Sequence, residues 1–464
     1  MRMKYRSGLR HILYELRGGF LLLPAAIMLA MAAVGLGVVW SEEHLPIVGG
    51  LADRWWWTVS REPTIAQLVL SAIAGSVMTV LSVVYSVLLL VLTFASIQFS
   101  PRIIVAFMKD RVNQLTLGSF LGTATFCLVT LPFVHTAPSP FVPRIAVSLA
   151  MLLAMASLVV LVYFIHNMAL SIQPNSIVQR IALETEDVIE RLSERSTAEQ
   201  SLSTRASLPE AESTALTCPT SGYIQFIDRD ALRWTAKKHR ICVHVSRGIG
   251  QFIPKGSVLA TVTPADHASP ECLRAVLQTF HLGAVRTMED DVEFGVLQIV
   301  DIALKAISPA VNDPSTAIIC VDYLSHILMC AATRKPPDEQ IFDDDGVLRL
   351  FLKPASFERL LSVAFDQIAQ YARSDMAVSL RLLRALGDVA EVTRDHSNLL
   401  AIASTAQGIC DRCAPQFSEA ARAEFVRRME RVARITSVPL DVRLETQNGS
   451  TPLTQAAAGR EYLP

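Results

Sequence analysis

Charge is nearly absent from four long stretches of the first 173 residues, and the lengths of these stretches, more than any periodicity, predict the structure there. Gly19 to Trp40 reads GFLLLPAAIMLAMAAVGLGVVW without one charge, and at a rise of ~1.5 Å per residue a helix of that length just spans the ~30 Å hydrocarbon layer. Thr64 to Ser100 contains no Asp, Glu, Lys or Arg, which is too long for one perpendicular crossing, so this helix must tilt, kink or protrude. Ser100-Pro101 ends it, because proline lacks the N–H and biases the preceding residue away from helix. Two further runs lie around Leu117 to Thr136 and from Ile145 to Gln173, with His166 near the end of the second and Pro138, Pro140 and Pro143 punctuating the hairpin between them. The basic segment before the first run would suit a signal peptide. The run is longer than an ordinary signal core, however, and no convincing small-residue cleavage site follows, so a retained anchor is expected.

Beyond Gln173-Pro174 the pattern becomes amphipathic. IVQRIALETEDVIERL reads as a helix extending the fourth span into water, and residues rich in Ser, Thr, Glu and Ala form a linker from about 193 to 217. Short β-rich stretches (ICVHV, QFI, SVLATV) separated by glycine turns then predict a small β-barrel or sandwich over 218–264. Its GQFIPKGSVLATV phrase is similar, at the level of fold alone, to the hammerhead folds of lipoyl and membrane-fusion proteins, without a lipoyl-attachment motif. Residues 265–437 read as a helical bundle interrupted by one hairpin, IFDDDGVLRLFLK, whose Asp345-Gly346 is a turn signal. The tail, 438–464, has little apolar periodicity and is expected to be poorly ordered. The predicted fold class is therefore a membrane α-helical domain of about four transmembrane helices (1–173), a helical extension and linker (174–217), and a cytoplasmic α+β part made of a small β-barrel or sandwich and a helical bundle.

Composition agrees with a greasy part joined to an ordinary one: 51% of residues are hydrophobic and 18% charged, with a mean hydropathy of +0.37. A net charge of -1 gives no electrostatic reason to expect nucleic acid. The local distribution is more informative. Arg2, Lys4, Arg6, Arg10 and Arg17 precede the first run, Arg102, Lys109 and Arg111 follow the second, and only Arg144 lies between the third and fourth. Basic residues in short loops stay on the cytoplasmic side, which predicts both termini in the cytoplasm. Trp55, Trp56 and Trp57 in the first outer loop suit the headgroup level as interface anchors. Eight cysteines at irregular intervals do not form a disulfide framework, and the lone Cys410-x-x-Cys413 has no second pair to complete a zinc site; buried thiols on a helix are expected.

Within the second run Ser71, Gly75, Thr79, Ser82, Ser86 and Thr93 recur at spacings of three, four and seven and so line one helical stripe. Such a face should meet other helices or water rather than acyl chains, giving two readings, close packing or a water-lined path between copies. With no acidic or basic residue inside these runs, a proton-relay pump is disfavoured. In the soluble half, Ser308-Pro309 ends one helix, Asp313 is placed to cap the next, and Pro314 fits its first turn. Ser308, Pro309, Asn312, Asp313, Pro314 and Thr316 thus mark a tight helical corner. Asp322 and His326, four apart, would share a face with Asn312, Asp313 and Asp301 nearby, a spacing compatible with ligation but equally with polar packing. No nucleophile elbow, P-loop, dinucleotide fingerprint or HExxH occurs. No catalytic, cofactor or metal residue is assigned, and enzymatic function has no positive support.

QFSPR, the LGSFLGT phrase, FIH…SIQ and SPAVNDPSTA together resemble a bacterial family of predicted integral membrane proteins grouped as a domain of unknown function. The resemblance covers most of the chain from the first span to the final helices. It implies membrane location and this architecture, and brings no catalytic residues. The leading functional expectation is an oligomeric channel or conductance regulator for an ion or small solute, with a cytoplasmic regulatory domain and the lipid bilayer and further copies as partners. The rival is a membrane-anchored sensor or scaffold that binds a cytoplasmic ligand or partner.

Overall fold

The computed structural model describes residues 22–45, 62–98, 110–136, 141–171, 173–199, 211–413, 416 and 419–440. The chain divides into two compact units between Gln173 and Pro174. The N-terminal basic residues, the three adjacent tryptophans, Ser100-Pro101, Pro138, Pro140 and nearly all of the tail lie outside the described residues.

The first unit contains α1 (Leu22–His44), α2 (Pro63–Gln98), α3 (Arg111–Thr130) and α4 (Arg144–Ser171). The third is the hub: α3 packs against each of the other three. Asp110 caps it, accepting a 3.0 Å hydrogen bond from Val112 N, so the helix begins well before the uncharged run does. Gly118 and Gly122, one turn apart, face α1. A Cβ at Gly118 would lie 2.6 Å from Ile27 Cδ1 and 3.2 Å from Pro24 Cα, and one at Gly122 would lie 2.9 Å from Met31 Cγ. Two backbones can approach this closely only where side chains are absent, the device by which membrane helices gain packing energy without a hydrophobic drive. Phe120, Phe126 and Phe164 fill the interior. A short 3-10 turn, Leu131–Phe133, follows α3, and Gln67 of α2 donates to the Val134 carbonyl at 2.9 Å. Glu42 of α1 accepts from Ala146 N at 2.8 Å, satisfying a donor in the first turn of α4.

Among the described residues, five helices are long and apolar enough to cross a membrane: α1 to α4, and Pro314–Thr333 in the second unit.

The second unit opens with α5 (Pro174–Glu199), which continues as helix into the segment expected to be linker. Its strands are β1 (Thr214–Thr217), β2 (Gly222–Ile227), β3 (Cys242–Val245), β4 (Phe252–Ile253), β5 (Val258–Thr263), β6 (Phe280–Gly283), β7 (Gln340–Phe342) and β8 (Leu348–Phe351). They form a five-stranded sheet, β1-β5-β3-β8-β7, and a three-stranded sheet, β4-β2-β6. Every pairing is antiparallel except β3 with β8. Helices α6 (Arg229–His239) and α7 (Pro270–Leu277) join both sheets around one core that includes Ile224, Leu232, Val243, Leu259, Cys272 and Leu350. The strands thus reach past 218–264 on both sides: β1 precedes it, and β6 with the hairpin strands β7 and β8 follows it. That hairpin turns on Gly346 at φ 75°, with Asp343 accepting from Asp345 N, Val347 N and the Arg349 guanidinium.

The remaining helices are α8 (Val292–Ala306), α9 (Pro314–Thr333), α10 (Phe357–Tyr371), α11 (Met376–Val392), α12 (His396–Cys413) and α13 (Glu419–Thr436). One rule starts four of them: Asp291, Asp313, Ser356 and Asp375 each accept a hydrogen bond from the backbone N–H three residues on. α9 packs on α5, α8 and α11. α5 meets α8 at Gly295, where a Cβ would fall 2.1 Å from Thr185 Oγ1.

Candidate functional site

On α2, Ser71, Gly75, Thr79, Ser82, Ser86 and Thr93 are all exposed in the single chain, while Ala66, Leu70, Ala74, Val77, Val84, Leu88 and Val91 form the face buried against the other helices. Each of the five hydroxyls donates to a carbonyl four residues earlier on its own helix, as Thr79 does to Gly75 at 2.9 Å and Ser86 to Ser82 at 2.9 Å. Nothing lies within 4 Å of a Cβ built at Gly75. The stripe is therefore directed away from its own bundle, with its donors satisfied internally and its carbonyls doubly used. The close packing by small residues within this chain sits on α3 instead, at Gly118 and Gly122.

The corner 308–316 joins α8 to α9. Ser308 Oγ donates to Lys305 O at 2.7 Å, and the Val311 and Asn312 amides return to Ser308 O at 3.0 and 2.9 Å. Pro309 lies in this turn. Asn312 takes φ 51°, a left-handed geometry that asparagine tolerates better than most residues. Asp313 then accepts from Thr316 N at 3.1 Å and Thr316 Oγ1 at 2.5 Å, Pro314 occupies the first turn, and Asp313 N donates to Ala306 O at 2.8 Å. Hydrogen bonds from Thr316 hold the Asp313 carboxyl below its ordinary range. All but the Thr316 hydroxyl bond to Asp313 satisfy backbone groups, so the corner serves to join α8 to α9.

Asp322 and His326 do not form one site. Asp322 is held by both arms of the Arg381 guanidinium on α11. His326 instead faces α5, its Nε2 3.3 Å from Glu186 Oε1. Cys330, one turn further along α9, brings a third ligand atom, and the imidazole nitrogen, carboxylate oxygen and thiol sulfur all lie within 4.8 Å of one another. Glu186 Oε1 is buried and makes no hydrogen bond. Arg334 flanks the group and pairs with Glu190 at 3.1 Å. Among the eight cysteines Cys330 alone is partly exposed, the other seven being buried. Cys410 and Cys413 lie buried on α12, and burial pushes the Cys410 thiol up to about 12.

A cleft in the same unit is lined by Ile189, Arg229, Asp290, Glu293, Lys335 and Lys353, among others. Its acids are already matched: Arg195 meets Asp290 at 3.2 Å, Arg286 meets Asp291 at 2.8 Å, and Arg359 meets Glu293 at 3.0 Å. The Asp291 carboxyl is raised by burial, against the pull of Arg286. The cleft consequently presents balanced polarity rather than a field of one sign.

The Glu186, His326 and Cys330 grouping escapes a reading by spacing because its carboxylate lies far upstream on another helix. Two of its three members share a spacing: His326 and Cys330 are four apart, as are Asp322 and His326. The choice between the two pairs depends on which face of α9 meets α5, and that is tertiary information.

A family model described as "Predicted membrane protein (DUF2254)" matches residues 17–388. An uncharacterized protein of Mycobacterium bovis is 33% identical over 382 residues, covering 80% of this chain and 72% of that protein, and an uncharacterized protein of Mycobacterium tuberculosis strain H37Rv matches with the same figures. No solved structure matches.

Proposed function

The chain belongs to the DUF2254 family of predicted membrane proteins, and on that premise we propose that it assembles in the bacterial inner membrane through the small-polar face of α2, forming a conduit between copies for an ion or small solute that the larger, cytoplasmic unit regulates. In this reading α1 to α4 are the four spans and both termini are cytoplasmic, in keeping with the basic bias of the loops. α9 belongs to the soluble core: Asp322 near its middle is ion-paired to α11, and its apolar face is covered by α5, α8 and α11. The two sheets close as a small sandwich over α6 and α7.

One observation carries the proposal: an uncharged stripe of glycine and internally satisfied hydroxyls points out of the bundle that could have buried it. A second copy is its natural cover in lipid, where association depends on close approach rather than on hydrophobic drive. The test is Ser82→Cys in the full chain. The conduit predicts cross-linking between copies together with labelling by a membrane-impermeant thiol reagent, and flux from reconstituted vesicles that Ser82→Leu reduces by drying the constriction. Cross-linking without labelling or flux would leave packing alone; absence of both would remove the assembly.

A second reading, an anchored sensor, is favoured by the cleft lined by Arg229, Asp290 and Lys353. A chimera retaining cellular function on an unrelated membrane anchor supports it over the conduit.

A further inference from the structure

We propose that Glu186, His326 and Cys330 form a binding site for a divalent transition-metal cation of zinc type, bridging α5 and α9. The donor set is the first argument. A carboxylate oxygen, an imidazole nitrogen and a thiolate sulfur are the three ligand classes of zinc, whereas magnesium and calcium take oxygen almost exclusively. Geometry is the second. A tetrahedral zinc with bonds of about 2.0–2.1 Å to nitrogen and oxygen holds those two ligands roughly 3.3–3.4 Å apart, and His326 Nε2 stands 3.3 Å from Glu186 Oε1. The sulfur lies within the same 4.8 Å compass.

The third argument comes from hydrogen bonding. Two groups at 3.3 Å would ordinarily share a proton on the line between them, yet Glu186 Oε1 is buried and has no hydrogen-bond partner. A buried, unsatisfied carboxylate oxygen is costly and calls for a partner. A cation between oxygen, nitrogen and sulfur supplies one. His326 and Cys330, four apart on α9, project from one helical face, the relation by which paired ligands on one helix reach a single metal. His326 is more than half exposed, so the cation and a water for the fourth position can enter from solvent.

Charges around the site fit a 2+ guest. Glu190 lies one turn beyond Glu186 on α5 and is neutralised by Arg334, which leaves the Glu186 charge for the metal. Cys330 stands beside Glu186 and Arg334, and its thiol supplies the third ligand atom. Coordination replaces the S–H bond with a metal–sulfur bond and releases that proton to solvent. The other seven thiols are buried and have no such neighbours among the described residues.

The experiment uses the tag-free full chain in detergent, stripped by a chelator and titrated with Co2+. One equivalent per chain should produce the thiolate-to-cobalt charge-transfer band and the intense visible bands of a tetrahedral centre, and Zn2+ should abolish them. Cys330→Ser should eliminate the charge-transfer band, His326→Ala and Glu186→Gln should weaken Co2+ binding at least tenfold, and Cys410→Ser should change nothing. A wild-type chain without the band, or a band that survives Cys330→Ser, overturns the proposal. Should a variant misfold, the wild type still decides: Zn2+ must slow alkylation of Cys330 at least tenfold, and an unchanged rate overturns the site.

Discussion

Gly295→Ala tests how the second unit is assembled, because the glycine lies where α8 crosses α5. An added Cβ would sit 2.1 Å from Thr185 Oγ1 and 3.0 Å from both Thr185 Cβ and Cγ2, against an ordinary contact of 3.4 Å or more. Turning the threonine carries its own cost, because its hydroxyl is bound to Ile181 O at 2.7 Å in a fully buried position. The helices must therefore part, and overpacking of this kind costs ~1–3 kcal/mol. For a unit of this size that corresponds to roughly 2–10 °C in melting temperature. Thermal unfolding of the full chain, followed by near-ultraviolet circular dichroism, measures it. Thr185→Ala removes two of the three close atoms, including the one at 2.1 Å, so the double variant should melt closer to Thr185→Ala alone than Gly295→Ala does to wild type. Glu186 is Thr185's neighbour, so the single variant should also weaken cobalt binding. An unchanged melting temperature, or a double variant no better than the sum of its parts, would refute the reasoning.

Asp313→Ala should cost about 1 kcal/mol through loss of the α9 cap. Because the folded carboxyl is held low, that contribution is complete above its unfolded value of about 3.9 and disappears as pH falls through the lower folded value, so the wild-type advantage in denaturant melts should vanish in strong acid. Asp322→Asn should cost no more than about 1 kcal/mol, since the Arg381 pair is partly exposed, and should leave the cobalt spectrum intact; a lost spectrum would return Asp322 to the metal site. In the membrane unit, Gly118→Leu should lower the melting temperature of the single chain by forcing α1 from α3, whereas Gly75→Leu should leave it unchanged and act only on cross-linking between copies; equal damage from both would show that α2 packs within the chain.

Uncharged length alone identified the helices of the first unit, because in lipid the backbone must satisfy itself and hydropathy is then nearly sufficient. Membership of the family was legible, and Asp313-Pro314 was legible as a helix start, since a cap is decided within a few residues. The same local logic failed at longer range. Spacing placed a small-polar stripe on α2, but only the packed bundle showed that this face points outward and that Gly118 and Gly122 make the close contact with α1. The hairpin at 340–351 was visible as a hairpin, yet its membership of the five-stranded sheet, through the parallel pairing of β8 with β3, leaves no mark in either strand. The same holds for the ligand cluster. His326 has a polar neighbour one turn away in each direction, Asp322 and Cys330, and a helix by itself cannot say which will be used. α11 takes Asp322 through Arg381, and α5 brings Glu186 to the other side. Gly295 on α8 lets α5 lie close by giving up a side chain, so the choice belongs to the packing of α5, α8, α9 and α11 and not to any one of their sequences.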